Sequence, residues 1–420
     1  MEKEKKITKI ISEGINDLFY VWKEEFRNVF KDSGVVIFFF IVPLAYPVLY
    51  SLIYNKETVR EVKAVAVDNS NSAYSREFIR RVDATPDVDI VNICSSMDEA
   101  QEMLNKKQAY GILLFPSEFS HNLHSGKQAT VSLYCDMSLM LYYKAMLLST
   151  TEVSFDMGKE ITAHNHPQST DKLKEIQINP VPYESVSLFN PSGGFASFLL
   201  PAVLMLVIQQ TLILGIGMLG GTAREQNRLH HLIPENRRFH GTLRVVLGKS
   251  LAYINIYTVV SLWTLAIVPK LFAFPNIAEH GTVLLFLLPY LFACIFFAMT
   301  LSGFMRTREA PMMIFVFLSV LLLFISGISW PKEAFPSYWR VLSDIFPSTP
   351  GIKGYVLIKS CGATLNEVAR EYHLLWLQTG FYFITACLVY RRQIIRVKKK
   401  SPDITLISAL VDEGITNSGT

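Results

Sequence analysis

The triplet Gly248-Lys249-Ser250 holds the residue types with which a loop and an ammonium group cradle a phosphate chain. A phosphate-binding loop also needs a glycine five positions before its second glycine, after a strand and opening a helix. That position is Leu243, and the nearest upstream glycine is Gly241. The triplet therefore binds no nucleotide. Histidines pair at His121/His124, His164/His166 and His230/His231. None has the further His, Cys or carboxylate at a spacing that completes a zinc site, so they read as solvated surface residues. The chain has neither a Gly-x-Ser-x-Gly elbow nor a His-Glu-x-x-His helix. With no catalytic constellation, no metal site and no cofactor site, the expectation is a chain that is not itself an enzyme.

What must position the remaining polar groups is a set of long apolar runs. Half of the 420 residues are hydrophobic and only 18% are charged, and the excess is segregated. Runs at 35–54, 198–219, 251–274, 282–305, 311–330 and 374–390 each approach the roughly 20 residues that a helix needs to cross about 30 Å of hydrocarbon. The last is short, and Pro269 with Lys270 shortens the third. Inside these runs polar residues are few: Gln209, Gln210, Asn255 and Gln378. No file of Asp or Glu offers a proton or cation relay, which disfavours an ion-driven pump. Nothing resembles a cleavable signal peptide, because the first run follows a long charged segment.

Lys and Arg gather in four segments: 1–34, 220–249, 306–310 and the basic tail 391–420. With six spans all four fall on one side, which the positive-inside rule makes the cytoplasm. Both termini are then cytoplasmic. The net charge of +4 follows from this topology, without nucleic acid as a partner. The opposite side receives 55–197, 270–281 and 331–373.

Residues 13–31 have the pattern of an amphipathic helix. Leu18, Phe19, Trp22, Phe26, Val29 and Phe30 form one stripe and Lys23, Glu24, Arg27, Asn28 and Lys31 the other. Aromatics beside basic residues ahead of a span suit a helix in the lipid headgroup layer, with packing against a soluble partner as the other reading. Pro43 and Pro47 predict a kink in the first span, with neighbouring helices satisfying the freed carbonyls. Residues 55–197 alternate strand-like and helix-like stretches: strands at 63–67, 88–93, 109–115 and 130–135, helices at 73–82, 97–106 and 138–162. That is the pattern of a compact α/β domain. Among the five cysteines, Cys94 and Cys135 fall on separate predicted strands, and a bond between them is open. The fold expected is thus a polytopic α-helical membrane protein of six transmembrane helices with an inserted extracytoplasmic α/β domain.

Two connections are unlike plain loops. After the fifth run come Ser326-Gly327, Pro331, Phe335, Pro336, Trp339, Phe346 and Pro350. That is too apolar for solvent and too broken for another crossing, as in short re-entrant helices at the outer face. The 220–249 connection holds Arg224, Glu225, Arg228, Leu229, Leu232, Ile233 and Pro234, a short charged helix with one apolar side and a proline stop. It is suited to dock on a partner.

One span, a large outer domain, then five spans with an outer hairpin resembles the permease subunits of type-2 ABC exporters, in the subgroup with a large periplasmic domain between the first two spans. The likeness covers nearly the whole chain. The family's loop after the second span carries an acidic-basic-acidic start, a Gly-Thr-x-Glu stretch, a proline and then Gly-Lys. Arg224-Glu225, Pro234 and Gly248-Lys249 match, while Asn227-Arg228-Leu229-His230 replaces the Gly-Thr-x-Glu portion. Asn190-Pro191, Pro201 and the stretch from Ser326-Gly327 through Pro331 and Pro336 also look like family features.

The resemblance implies an ATP-driven exporter in the bacterial inner membrane, moving a hydrophobic or amphipathic substrate. ATP and Mg would belong to a separate ATP-binding subunit. The permease would pair with itself or a paralogue, with a periplasmic adaptor and outer-membrane channel as further partners. Coupling would run through Arg224, Glu225, Arg228, Leu229, Leu232, Pro234 and Lys249, with Phe19, Trp22 and Phe26 on the interfacial helix against membrane lipid. Gly327, Pro331, Phe335 and Pro336 would form an outer gate. Gln209, Gln210, Asn255 and Tyr257, the polar groups least suited to lipid, are the candidates for a translocation path, with interhelical hydrogen bonding as their other reading. A membrane receptor or scaffold with a ligand-binding outer domain is the alternative. It explains the outer domain but neither the five later spans nor the docking loop.

Overall fold

The computed structural model describes residues 2–165, 188–190, 193–226 and 241–400; for 2–11, 13, 163–165 and 397–400 it describes the backbone alone. The chain forms two compact units, Met1–Asn55 with Leu188–Thr420, and Lys56–Ser187. In the first unit α1 spans Glu2–Lys31, starting well before the expected residue 13. It stops at Asp32, whose side chain accepts from the Gly34 and Val35 amides and so caps α2, Ser33–Ile53. A π-turn at Ile37–Ile41 precedes Pro43. Pro47 has no N–H for the Pro43 carbonyl, and Thr264 Oγ1 donates to that oxygen at 3.3 Å.

The second unit begins with β1, Val62–Asp68. There follow α3, Ala73–Asp83; β2, Val88–Cys94; α4, Met97–Asn105; and β3, Gly111–Phe115. Then come α5, Phe119–His124; β4, Ser132–Cys135; and α6, Met140–Asn165. The strand order is β2-β1-β3-β4, with β1 parallel to β2 and β3, and β4 antiparallel to β3. Central β1 is apolar on both faces, as a parallel strand covered twice must be. Val62, Ala64 and Ala66 join Phe78, Val82 and Met146 of α3 and α6 in one core, while Val65 and Val67 join Ala100 of α4 in the other. The Cys94–Cys135 bond left open by the sequence is excluded. The two residues lie on opposite edges of the sheet, three strand spacings or about 14 Å apart, beyond the roughly 7 Å a disulfide spans. Both are free thiols, and burial holds both above the usual range, Cys135 at about 11.

The first unit resumes with α7, Phe195–Glu225, and α8, Thr242–Leu271. Next are α9, His280–Ser302, and α10, Ala310–Ile325. Short helices α11, Ser337–Ser343, and α12, Ser348–Cys361, lead to α13, Ala369–Lys400. Helix α7 is apolar on every side and buried along most of its length, the signature of a helix at the centre of a bundle. Gly217 and Gly221, a Gly-x-x-x-Gly pair, let α7 meet the next turn of chain. A Cβ on Gly221 would stand 2.2 Å from the Thr307 carbonyl oxygen, and one on Gly217 would stand 2.8 Å from Pro311. Helix α9 packs on α13 through Phe296–Phe383 and Phe297–Tyr382 ring contacts. In α8 a π-turn at Trp263–Ile267 precedes Pro269, and Tyr355 donates to the Leu265 carbonyl that Pro269 leaves free.

Five helices among the described residues are long and apolar enough to cross a membrane, against six expected. The difference is α10. The apolar run continues to Trp330, but the helix ends at Ile325 before Gly327 in a left-handed conformation (φ 93°). Its 16 residues reach about 24 Å, short of the roughly 30 Å hydrocarbon core. The final span is longer than expected, because the apolar 374–390 run sits inside a continuous α13.

Candidate functional site

Polar chemistry in the first unit concentrates where α1, the start of α8, the end of α7 and the 303–309 turn meet. One face of α1 carries Asp17, Val21, Glu25, Val29 and, just past its end, Asp32, at near two-turn intervals for the acids. Each carboxylate has a basic partner. Asp17 pairs with Arg244 and Glu25 with Lys249, both on α8, and Asp32 pairs with Arg308 of the turn. Glu25 lies deepest. Its carboxylate takes Lys249 Nζ at 2.5 Å on one oxygen and the Tyr253 hydroxyl on the other, with both charged side chains under 10% exposed. Two buried opposite charges with their lone pairs filled form a stable unit only while both are present.

The same turn is tied to α7. The Arg224 guanidinium donates to the Met305 carbonyl, and the Glu225 carboxylate accepts the Arg308 amide at 3.3 Å. A cavity of about 630 Å³ opens beside it, lined among others by Glu24, Lys31, Asp32, Thr222, Gln226 and Arg308. Of the residues expected to grip a partner, Arg224 and Glu225 thus also hold this turn. Lys249 is not on an open loop at all but sealed against Glu25. Arg228, Leu229, Leu232 and Pro234 lie outside the described residues, as do His166, His230, His231 and the side chain of His164. His124 meets the Tyr74 ring edge-on, with centroids 5.4 Å apart. Among the described residues no group of three His, Cys, Asp or Glu could hold a metal.

On α1 the aromatic stripe forms a ladder of neighbouring rings, Phe19–Trp22–Phe26–Phe30, that continues onto Phe40 of α2. Phe19 and Phe30 are exposed and Trp22 and Phe26 half-buried, so this ladder lies to the side of the ion-paired face.

The four candidate path residues do not converge. Gln209 is fully buried and donates to Ser348 Oγ at 3.2 Å; Gln210 donates to the Phe315 carbonyl. Tyr257 donates to Thr211 Oγ1 at 2.9 Å, and Asn255 is exposed on another face of α8. Three of them therefore tie helices together. At the far side of α10, Gly327 makes the left-handed turn, Pro331 opens a 3-10 turn, and Phe335 with Pro336 leads into α11. Lys332 pairs with Asp344 across this hairpin, and α12 returns into the bundle, with Gly351 against the Tyr290 ring.

Asp17, Glu25, Asp32, Arg244, Tyr253 and Arg308 are not recognisable as a unit from the sequence pattern alone. A signal was present: Glu25 falls among Leu18, Val21, Trp22 and Val29 on the helical wheel, and an acid in an apolar stripe demands a partner.

A family model described as "ABC-2 family transporter protein" matches residues 34–388. A search of curated proteins returns no match.

Proposed function

The chain belongs to the ABC-2 family of transporter proteins, and from that premise we propose that it is the permease of an ATP-driven exporter. Family membership makes it the multi-pass membrane component of an ABC transporter, with an ATP-binding subunit as its partner. We infer further that transport is outward, of a hydrophobic or amphipathic substrate across the bacterial inner membrane, and that the permease works as a dimer with itself or a paralogue. Both termini are then cytoplasmic, and Lys56–Ser187 lies outside, where it could receive an adaptor leading to an outer-membrane channel.

The observation that carries the reading is the family match over most of the chain on a bundle of long apolar helices. The ion-paired junction supports it. Helix α1, α7, α8 and the 303–309 turn are joined at one end of the bundle, where α7 ends and α8 begins, so a partner pressing there would reach three long helices at once.

The test is to purify the tagged chain from its native membrane in mild detergent, identify what stays bound and assay ATP hydrolysis. A stoichiometric ATP-binding subunit is expected, lost on combining Glu225→Lys with Leu229→Lys. If the folded chain comes out without an ATPase, the permease reading fails and a receptor or scaffold takes its place.

A further inference from the structure

We propose that α1 and the first three turns of α8 move as one body during the transport cycle, and that Asp32, with its partner Arg308, is the joint at which this body parts from α7. The inference rests on the permease reading, since it takes an ATPase partner as the source of motion.

The three ion pairs along α1 are graded in exposure. Side-chain exposures are 8% and 4% for Lys249 and Glu25, 22% and 10% for Arg244 and Asp17, and 42% and 13% for Arg308 and Asp32. A pair sealed from water cannot open without stranding two charges, whereas a partly hydrated pair opens at small cost. Packing between α1 and α8 is close as well. A Cβ on Gly248 would stand 2.8 Å from Val21 Cβ and from the Leu18 carbonyl oxygen, so α1 and α8 touch backbone to side chain there. The cavity of about 630 Å³ borders both pairs, being lined by Glu25 and Lys249 as well as by Asp32 and Arg308.

Connectivity places the joint at the same residue. Asp32 is the single non-helical residue between α1 and α2, with φ −98° and ψ 107°. On its far side α2 packs on α7, with Phe39 against Gly215. The turn that carries Arg308 is held to α7 by Arg224 and Glu225. Every other tie of that turn described above thus leads to α7, and Asp32–Arg308 is the ion pair that bridges the two bodies, beside the Phe30–Phe40 and Phe39–Tyr253 ring contacts. Rigid arms meeting at an extended residue are the ordinary construction of a hinge.

Asp17, Glu25 and Arg308 are positioning residues on this account, and the test reads motion as well as rate. In the complex with its ATP-binding subunit in lipid, cysteine pairs replace two of the ion pairs: Asp17→Cys with Arg244→Cys, and Asp32→Cys with Arg308→Cys. Each is joined by a bifunctional thiol reagent. The native chain treated alike and each variant before linking serve as references. Linking 17 to 244 should change ATP hydrolysis by less than roughly twofold, and linking 32 to 308 should lower it by roughly tenfold or more. Arrest by the first link, or indifference to the second, overturns the proposal.

Hydrogen exchange on the unaltered complex needs no variant. On adding ATP, the Gly34 and Val35 amides should exchange faster, while the Arg308 amide and amides 14–29 and 244–253 stay as they were. Loosening between α1 and α8 instead would sink the idea. If no ATPase accompanies the unlinked chain, the permease reading has failed first, and the proposal falls with it.

Discussion

At the scale of single residues, charge placement at the junction is decided by desolvation. Glu25 and Lys249 are both withdrawn from water, so neither tolerates the loss of the other. Glu25→Gln should destabilise the purified protein by about 3–5 kcal/mol, because the Lys249 ammonium is left buried without a counter-charge. Combining it with Lys249→Met should recover stability to within about 1 kcal/mol of the native chain, since the buried charge is gone and the amide oxygen of the introduced glutamine still accepts the Tyr253 hydroxyl. Unfolding midpoints of the two variants decide this, and equal losses in both would refute it. The pairing itself could not be read from sequence. Glu25 and Lys249 are 224 positions apart, and only the docking of α1 on α8 brings them together. What could be read was an acid out of place on an apolar stripe.

At the scale of elements, prolines in apolar helices have a consistent solution. Pro47 and Pro269 each free a carbonyl one turn back, and a hydroxyl from another helix, Thr264 or Tyr355, donates to each. A π-turn stands ahead of Pro43 in α2 and ahead of Pro269 in α8. Tyr355→Phe keeps the ring and removes only the donor, so it should cost about 1–3 kcal/mol by leaving the Leu265 carbonyl unsatisfied. Tyr355→Phe with Pro269→Ala should cost less than Tyr355→Phe alone, because the alanine amide restores the donor. A denaturation series on the variants measures this.

The elements were largely legible in advance because period-two and period-3.6 patterns are local. The four strands and the three longer helices of the α/β unit lie within a few residues of their expected places. Helix α5 was missed, being only six residues long, with a single buried apolar anchor in Phe119. The length of α10 was also misjudged. Apolarity extends to Trp330, but the Ser326-Gly327 step breaks the helix, and hydropathy does not register backbone conformation.

At the scale of the whole molecule, orientation turns on α10. For both termini to share one side, α10 must cross the membrane with help from the 326–330 turn that follows it. Cysteine labelling from the two sides of a sealed membrane tests this: Arg306→Cys should react from the cytoplasmic side and Lys332→Cys from the opposite side. Labelling of both from one side would make α10 re-entrant and leave the termini on opposite faces.

The ion-paired face of α1 has one more consequence, for biogenesis. Arg244, Lys249 and Arg308 belong to the basic segments that, by the positive-inside rule, would set orientation as the chain enters the bilayer, yet in the folded protein each is neutralised by an acid on or beside α1. The same cations thus act twice, first as free charges read during insertion and later as counter-ions. Because α1 emerges from the ribosome more than two hundred residues before Arg244 and Lys249, its acids must stay hydrated until α8 is made. The closing of this face is thereby set late in the chain's synthesis, after orientation has been decided.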